Sequence, residues 1–334
     1  MDLFMRLRAI SAAILATAAL SLAGCSSSDS GNSNETSTPT AASGDAYPVS
    51  IDTKFGSVEI TEQPQRIVAL GWGDAELALA FGAQPVGASD WLEFGGEGVG
   101  PWAEGLYDEA PEIIGTLDPS YEAIAELEPD LILDVRSSGD QERYDRLSSI
   151  ATTVGVPEGG DSWLATRDQQ VEMISSALGQ PEEGQALLED LAQTFTDAKE
   201  AHPEWEGKTI TVATRTSEGW GAYVNDGRVD FFENLGFEQN PTLLDLPVND
   251  NGWSVSVSGE ELELLDADLL VGFPIYIDKT EITEDAGWQM IPAVEDGRSI
   301  VIDGDLSTAF SLGTPASLEY ALDEFTPLIE DAVQ

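Results

Sequence analysis

Two arginines stand where apolar runs end: Arg136 after Leu131-Ile132-Leu133-Asp134-Val135, and Arg215 after Thr211-Val212-Ala213-Thr214. A guanidinium at the carboxyl end of a strand offers a planar fork to a carboxylate, catecholate or hydroxamate oxygen. The chain has 62 Asp and Glu against 14 Lys and Arg, a net charge of -48, so each basic residue is worth locating. Lys279, just past Phe273-Pro274-Ile275-Tyr276-Ile277-Asp278, stands near a third strand end. Large aromatic residues (Trp72, Trp91, Trp220, Tyr223, Trp253 and Tyr276) fall in or near loops that follow strands. There they would give a bulky ligand apolar surface with a polar edge. Each of these residues also has an ordinary alternative: an ion pair with one of many acids, or simple packing.

Other chemistries find less support. Gly71-Trp72-Gly73-Asp74-Ala75-Glu76 follows an apolar run like the start of a dinucleotide-binding turn, but Glu76 occupies the third glycine position. Its charge would oppose a pyrophosphate. One histidine, His202, and one cysteine, Cys25, leave no Ser-His-Asp set, no multi-histidine metal centre and no disulfide framework. There is no Gly-x-Ser-x-Gly elbow and no Walker loop. Paired carboxylates carry no information in so acidic a chain. The residues argue against an enzyme, and the charge argues against nucleic acid as a partner.

The elements that must hold these residues follow a rhythm. Arg6 and Arg8, the apolar stretch 9–19 and Leu22-Ala23-Gly24-Cys25 make residues 1–24 read as an export signal, too short to span a bilayer comfortably. Residues 25–46 are small, polar and aperiodic, as expected of a flexible tether. From 47 to 165 a hairpin (49–53, 56–60) precedes strands at 66–70, 84–88, 130–134 and 152–154, which alternate with helices at 75–81, 119–127 and 141–150. Residues 166–203 are helical without an intervening strand and break at Gly179-Gln180-Pro181. The helix 181–201 opens with Pro181, Glu182 and Glu183 and ends near Lys199 and His202, charges that suit its dipole. Leu187, Leu188, Leu191 and Phe195 share one face of it, and at 1.5 Å per residue it is about 30 Å long. From 204 to 334 strands at 209–214, 269–273 and 299–302 alternate with helices at 229–235, 260–265 and 318–333. The prediction is an α/β protein of two Rossmann-like lobes bridged by a single long helix, with a ligand cleft between them at the strands' carboxyl ends.

Several segments follow one another in a telling order: Leu22-Ala23-Gly24-Cys25, the polar segment, PQRIVALGWGDAELALAFGAQPVGASDW, YEAIAELEPDLIL, the long helix, FFENLGF and SVSGEELELLDADLLVG. Together they resemble the substrate-binding lipoproteins of ABC importers for ferric siderophores, haem and cobalamin, over essentially the whole chain beyond the signal. The resemblance implies lipidation of Cys25 and a monomer anchored at the outer face of the cytoplasmic membrane. Such a protein captures a ferric siderophore and delivers it to a permease dimer with its cytoplasmic ATPase. It needs no cofactor and no metal ligand of its own, because the chelator holds the iron. Arg136, Arg215, Lys279, Trp72, Trp91, Tyr223, Trp253 and Tyr276 would then line the cleft. Glu76 and Glu260, exposed in first helical turns, would match the family's two glutamates that meet permease arginines. Haem or cobalamin is the alternative cargo; haem lacks its usual histidine here, although a tyrosine could replace it. Some hydroxamate-binding members carry an arginine just before the segment corresponding to Asp118-Pro119-Ser120-Tyr121. Thr116-Leu117-Asp118 stands there, which leaves the siderophore class open.

Overall fold

The computed structural model describes residues 46–333 apart from Trp91 and Thr116, so Cys25, the signal segment 1–24, nearly all of the tether and Trp91 lie outside the described residues. Strands β1 (Val49–Thr53) and β2 (Gly56–Ile60) form the expected hairpin. The first main sheet is built from β3 (Ile67–Ala69), β4 (Gly87–Ser89), β5 (Glu112–Ile114), β6 (Leu131–Leu133) and β7 (Thr152–Val154), in the order β5-β4-β3-β6-β7. All its pairings are parallel. Its central strands β3 and β6 are wholly apolar and buried, as strands covered on both faces must be.

Helices α1 (Asp74–Ala80), α2 (Tyr121–Glu126), α3 (Gln141–Ser148) and α4 (Arg167–Ala177) accompany this sheet. Ser120, Asp140 and Thr166 cap the last three by accepting backbone N–H groups, and Thr166 with Gln169 completes a capping box.

Helix α5 (Pro181–Ala201) is the bridge. Leu187 and Leu188 pack on the core of the first lobe, while Leu191 and Phe195 belong to the core of the second. One apolar stripe thus serves two cores in turn. Gly184 lets α5 lie close on α4, since a Cβ there would collide with Ser175.

The second lobe holds β8 (Thr209–Thr216), β9 (Gly219–Tyr223), β10 (Glu238–Gln239), β11 (Ser254–Val257), β12 (Leu269–Pro274) and β13 (Ser299–Val301). Their order is β11-β9-β8-β12-β13, with β10 beside the start of β8. Strands β8, β12 and β13 are parallel, but β9 pairs antiparallel with both β8 and β11, so this sheet is mixed rather than purely Rossmann-like. The helices here are α6 (Gly227–Asn234), α7 (Pro241–Leu244), α8 (Thr280–Thr283), α9 (Pro292–Glu295), α10 (Gly304–Leu312) and α11 (Pro315–Ala332). The expected helix at 260–265 is a 3-10 segment, Leu262–Leu265. Phe195, Phe231, Phe232, Phe310 and Phe325 meet edge-on or tilted in the core beneath α11. Burying each such side chain contributes about 1.5–3 kcal/mol. Among the described residues no helix is long and apolar enough to cross a membrane.

Candidate functional site

The loop after β3 is tied directly to the loop after β6. Trp72 N donates to Arg136 O at 2.9 Å, and a Cβ at Gly71 would stand 2.8 Å from Arg136 N. Gly73, at φ 82°, makes the turn into α1. Asp74 is completely buried and accepts from Val135 N at 2.8 Å and Gln170 Nε2 at 2.6 Å. Burial raises its pKa to about 6 against the opposing pull of the Gln170 and Val135 hydrogen bonds. Gln170 Nε2 also donates to Trp72 O at 2.8 Å. This network sets Trp72 and Arg136 side by side.

Trp72 stacks on Trp163, with ring centroids 5.0 Å apart and 20° between planes. Trp163 and its neighbour Ser162 both adopt left-handed backbone, at φ 64° and 56°, which costs about 1–3 kcal/mol for each non-glycine residue. Ser162 N and Trp163 N donate to Ser138 O and Ser137 O, and Lys54 Nζ binds Gly139 O and the Asp161 carboxylate. The loop carrying Trp163 is therefore pinned on both sides.

Arg136 reaches the second lobe. Its Nη1 donates to Leu312 O at the end of α10, at 2.5 Å, while its Nε is buried without a partner. Burial, and then the charge of Arg228, lowers its pKa to about 10, against smaller opposing effects of Asp226 and Asp74; it stays charged at neutral pH. Arg228 lies in the first turn of α6. Its Nη1 donates to Asp226 Oδ1 at 2.8 Å, its guanidinium stands 4.4 Å from the Tyr223 ring centroid, and its Nε too is buried without a partner.

The expected cleft residues separate into two groups. Trp72, Arg136 and the Tyr223–Trp253 pair gather around this junction. Tyr223 does so from beneath: it is 4% exposed, stacked on Trp253 at 5.4 Å and Phe273 at 5.9 Å, and covered by Arg228. Its ring is a platform for a guanidinium, which corrects the expectation of a lining aromatic. Arg215 instead donates to Thr216 O at 2.6 Å and lies over Trp220, whose ring belongs to the core cluster on the opposite face of the sheet from Tyr223. Lys279 pairs with Asp303 at 2.9 Å beside the edge strand β13, and Tyr276 is 95% exposed.

Glu76 also departs from expectation. It sits in the first turn of α1, but it is 7% exposed. Its Oε2 accepts from Trp102 Nε1 at 2.9 Å and Thr314 Oγ1 at 2.8 Å, and its Oε1 lies 3.5 Å from Gly100 N. Burial raises its pKa, with these donors opposing. A carboxylate so enclosed offers nothing to a permease arginine. Glu260 is exposed, in the turn before Leu262–Leu265. Its counterpart in the first lobe is Glu122, exposed in the first turn of α2. The same spacing separates Ser120 from Ser258, Glu122 from Glu260, Ile124 from Leu262 and Asp130 from Asp268. Asp130 accepts from Arg66 N and Asp268 from Thr209 N, each just at or before the start of the neighbouring strand. The repeat was present in YEAIAELEPDLIL and GEELELLDADLLV, though only three of its eight leading pairs are identical or acidic, too few to announce it without the structure.

Arg228, Asp226, Trp163, Trp102 and Thr314 were also missed. The scarcity of basic residues was the available signal for Arg228; Thr314 and Trp102 had none, since their partner lies far away in the chain.

A model for "periplasmic binding protein" matches residues 67–306. A probable siderophore-binding lipoprotein, YfiY of Bacillus subtilis, is 26% identical over 324 residues, covering 92% of this chain and 93% of the relative. A periplasmic solute binding protein of Mycobacterium smegmatis has a similar structure, with TM-score 0.75 and 28% identity over 86% of this chain and 99% of the other. The iron-uptake protein PiaA of Streptococcus pneumoniae, in complex with ferrichrome, matches with TM-score 0.71 and 27% identity over 85% and 98% of the two chains. Two lobes, one bridging helix and a polar–aromatic junction between them accord with these likenesses: the chain belongs to the periplasmic binding protein family.

Proposed function

We propose that the protein is the extracytoplasmic binding component of an ABC importer, anchored through Cys25, and that it captures a ferric siderophore and delivers it to a permease dimer. The observation that carries this reading is the meeting, at the lobe junction, of the Trp72–Trp163 stack with Arg136, which already spans to Leu312. A ferric chelate is a large ligand with an apolar periphery and oxygen-rich faces, and that combination of surfaces suits it. The names of the Bacillus subtilis lipoprotein and of the pneumococcal ferrichrome complex support the same cargo class. Nothing at the junction has to bind iron directly, because the chelator supplies the ligands. Glu122 and Glu260, one exposed on each lobe, are the proposed contacts to the two permease subunits.

The test is quenching of tryptophan fluorescence on titrating the full chain, purified in mild detergent, with ferric hydroxamate, catecholate and citrate-type chelates, haem and cobalamin. Saturable quenching by a ferric chelate at submicromolar concentration is expected. Response to haem or cobalamin alone would transfer the protein to another cargo, and response to none would refute the reading.

A further inference from the structure

Most connections in compact domains take about 4–6 residues, and much longer ones commonly serve as lids or binding loops. Residues 90–111 join β4 to β5 in the first lobe, and their helical piece is the 3-10 turn Pro101–Ala103. Trp102 within that turn packs against the core of the second lobe, its ring 5.3 Å from that of Tyr320 in α11. Its Nε1 donates to Glu76 Oε2 at 2.9 Å, and Thr314 Oγ1 donates to the same oxygen at 2.8 Å. Glu76 Oε1 lies 3.5 Å from Gly100 N. A single carboxylate thus holds the long loop, α1 and the start of α11 together. Thr314 also presses on the turn beside Trp72, since a Cβ at Gly73 would stand 2.7 Å from its Cγ2.

Glycines flank the segment that carries Trp102. Asp90 anchors the near end, its carboxylate accepting from Phe94 N and Gly95 N at 2.9 and 2.8 Å. Gly95, Gly96 and Gly105 adopt left-handed backbone, at φ 73°, 57° and 78°, and a Cβ on any of them would meet nothing within 4 Å. Backbone freedom, rather than crowding, is what calls for glycine there. Gly100 differs: a Cβ would strike the Trp102 ring at 2.3 Å, so its absence lets the indole fold back over the loop. A cavity of about 540 Å³ separates the loop from Asp305 of α10. The loop therefore stands off α10, and Trp102 is where it is fastened to the second lobe.

We infer that residues 94–105 are a latch across the lobe junction, with Trp102 as its bolt and Glu76 as the catch it shares with α11. Fastened, the latch holds the lobes together beside Trp72 and Arg136. Withdrawal of Trp102 about the flanking glycines leaves Glu76 with Thr314 alone and lets the lobes part. Because Glu76 is buried, losing those donors is costly, and the fastened state is favoured. The latch itself goes beyond the proposed function; only its effect on cargo exchange rests on that reading. Trp102 is a positioning residue, which governs how fast a chelate enters and leaves more than how tightly it is held.

The test uses the full chain in mild detergent, unmodified and as Trp102→Ala and Trp102→Phe, the second keeping a ring and removing the donor. Hydrogen exchange is first followed by mass spectrometry with no ligand present. Both variants should speed exchange in residues 98–105 and in the first turn of α11 by about tenfold or more, while β3, β6, β8 and β12 keep their protection. Glu76→Gln attacks the catch from the other side and should speed the same two segments, which covers a Trp102 variant that does not fold. Unchanged exchange in those segments would overturn the latch. Stopped-flow mixing with ferrichrome, a ferric citrate-type chelate and a ferric tris-catecholate is then followed through the remaining tryptophans. For any chelate that binds, association and dissociation should both quicken about fivefold or more, with Kd changed less than about threefold. Faster dissociation alone would make Trp102 an ordinary contact and would also overturn the latch. Binding of no chelate would remove the siderophore reading, while the exchange measurement would still decide the latch.

Discussion

The carboxylate of Glu76, in the first turn of α1, accepts a 2.8 Å hydrogen bond from the hydroxyl of Thr314, the N-cap residue of α11, and so ties one lobe to the other. Trp102 donates to the same oxygen and touches Tyr320 of α11 at 5.3 Å. Removing one donor from a buried carboxylate costs about 1.5–3 kcal/mol. Thr314→Val should therefore lower stability by that amount in chemical denaturation and speed hydrogen exchange at the start of α11. Unchanged exchange there would mean that Trp102 and Gly100 hold the junction unaided.

Asp74 makes stability depend on pH. Its folded pKa of about 6 lies above the ordinary 3.8, so the folded protein holds the proton more tightly than the unfolded chain. The contribution is full below 3.8 and is lost as pH rises to about 6. The difference amounts to roughly 2–3 kcal/mol. Asp74→Asn should flatten the stability profile between those pH values relative to the unmodified protein. A slope unaltered by the substitution would place the titration elsewhere.

Glu122 and Glu260 are exposed, and their side chains can be removed at little structural cost. The double change to Ala should alter stability by no more than about 0.5 kcal/mol and leave chelate binding intact. Uptake of radioactive iron by cells should fall to background. Retained uptake would withdraw the docking assignment without touching the cargo.

Gly71 admits no side chain. A Cβ there would collide with the Asp74 carboxyl and stand 2.8 Å from Arg136 N. Gly71→Ala should cost about 1–3 kcal/mol as overpacking does, and should weaken chelate binding by displacing Trp72 and Arg136 together. A melting temperature and affinity both equal to those of the unmodified protein would show that the two loops can separate freely.

The legible part of the fold was the part with strong periodicity. Buried parallel strands such as Leu131–Leu133 and Leu269–Pro274 and the long helix Pro181–Ala201 announce themselves through apolar runs and first-turn charges. Strands β9 and β11 did not, because Gly219-Trp220-Gly221-Ala222-Tyr223 and Ser254-Val255-Ser256-Val257 carry glycine and serine where an apolar run would be sought. Their pairing, Val255 opposite Ala222, is decided by tertiary contact. Helix α10 was missed as well, since it opens on Asp303-Gly304-Asp305, a turn-like start. Strand-end position put Arg136 in the loop that meets Leu312 of the second lobe, but could not tell which face of β8 Arg215 would occupy. The first helical turn suggested an exposed Glu76, and only the approach of Thr314 and Trp102 shows why it is enclosed.

Because the bridge from first lobe to second is a single helix, α5, with Leu187 seated in one core and Leu191 in the next, each lobe is woven from one uninterrupted segment. The molecule is thus modular at the level of its gene. A recombination joint placed within α5 would exchange one lobe for another and leave both sheets whole.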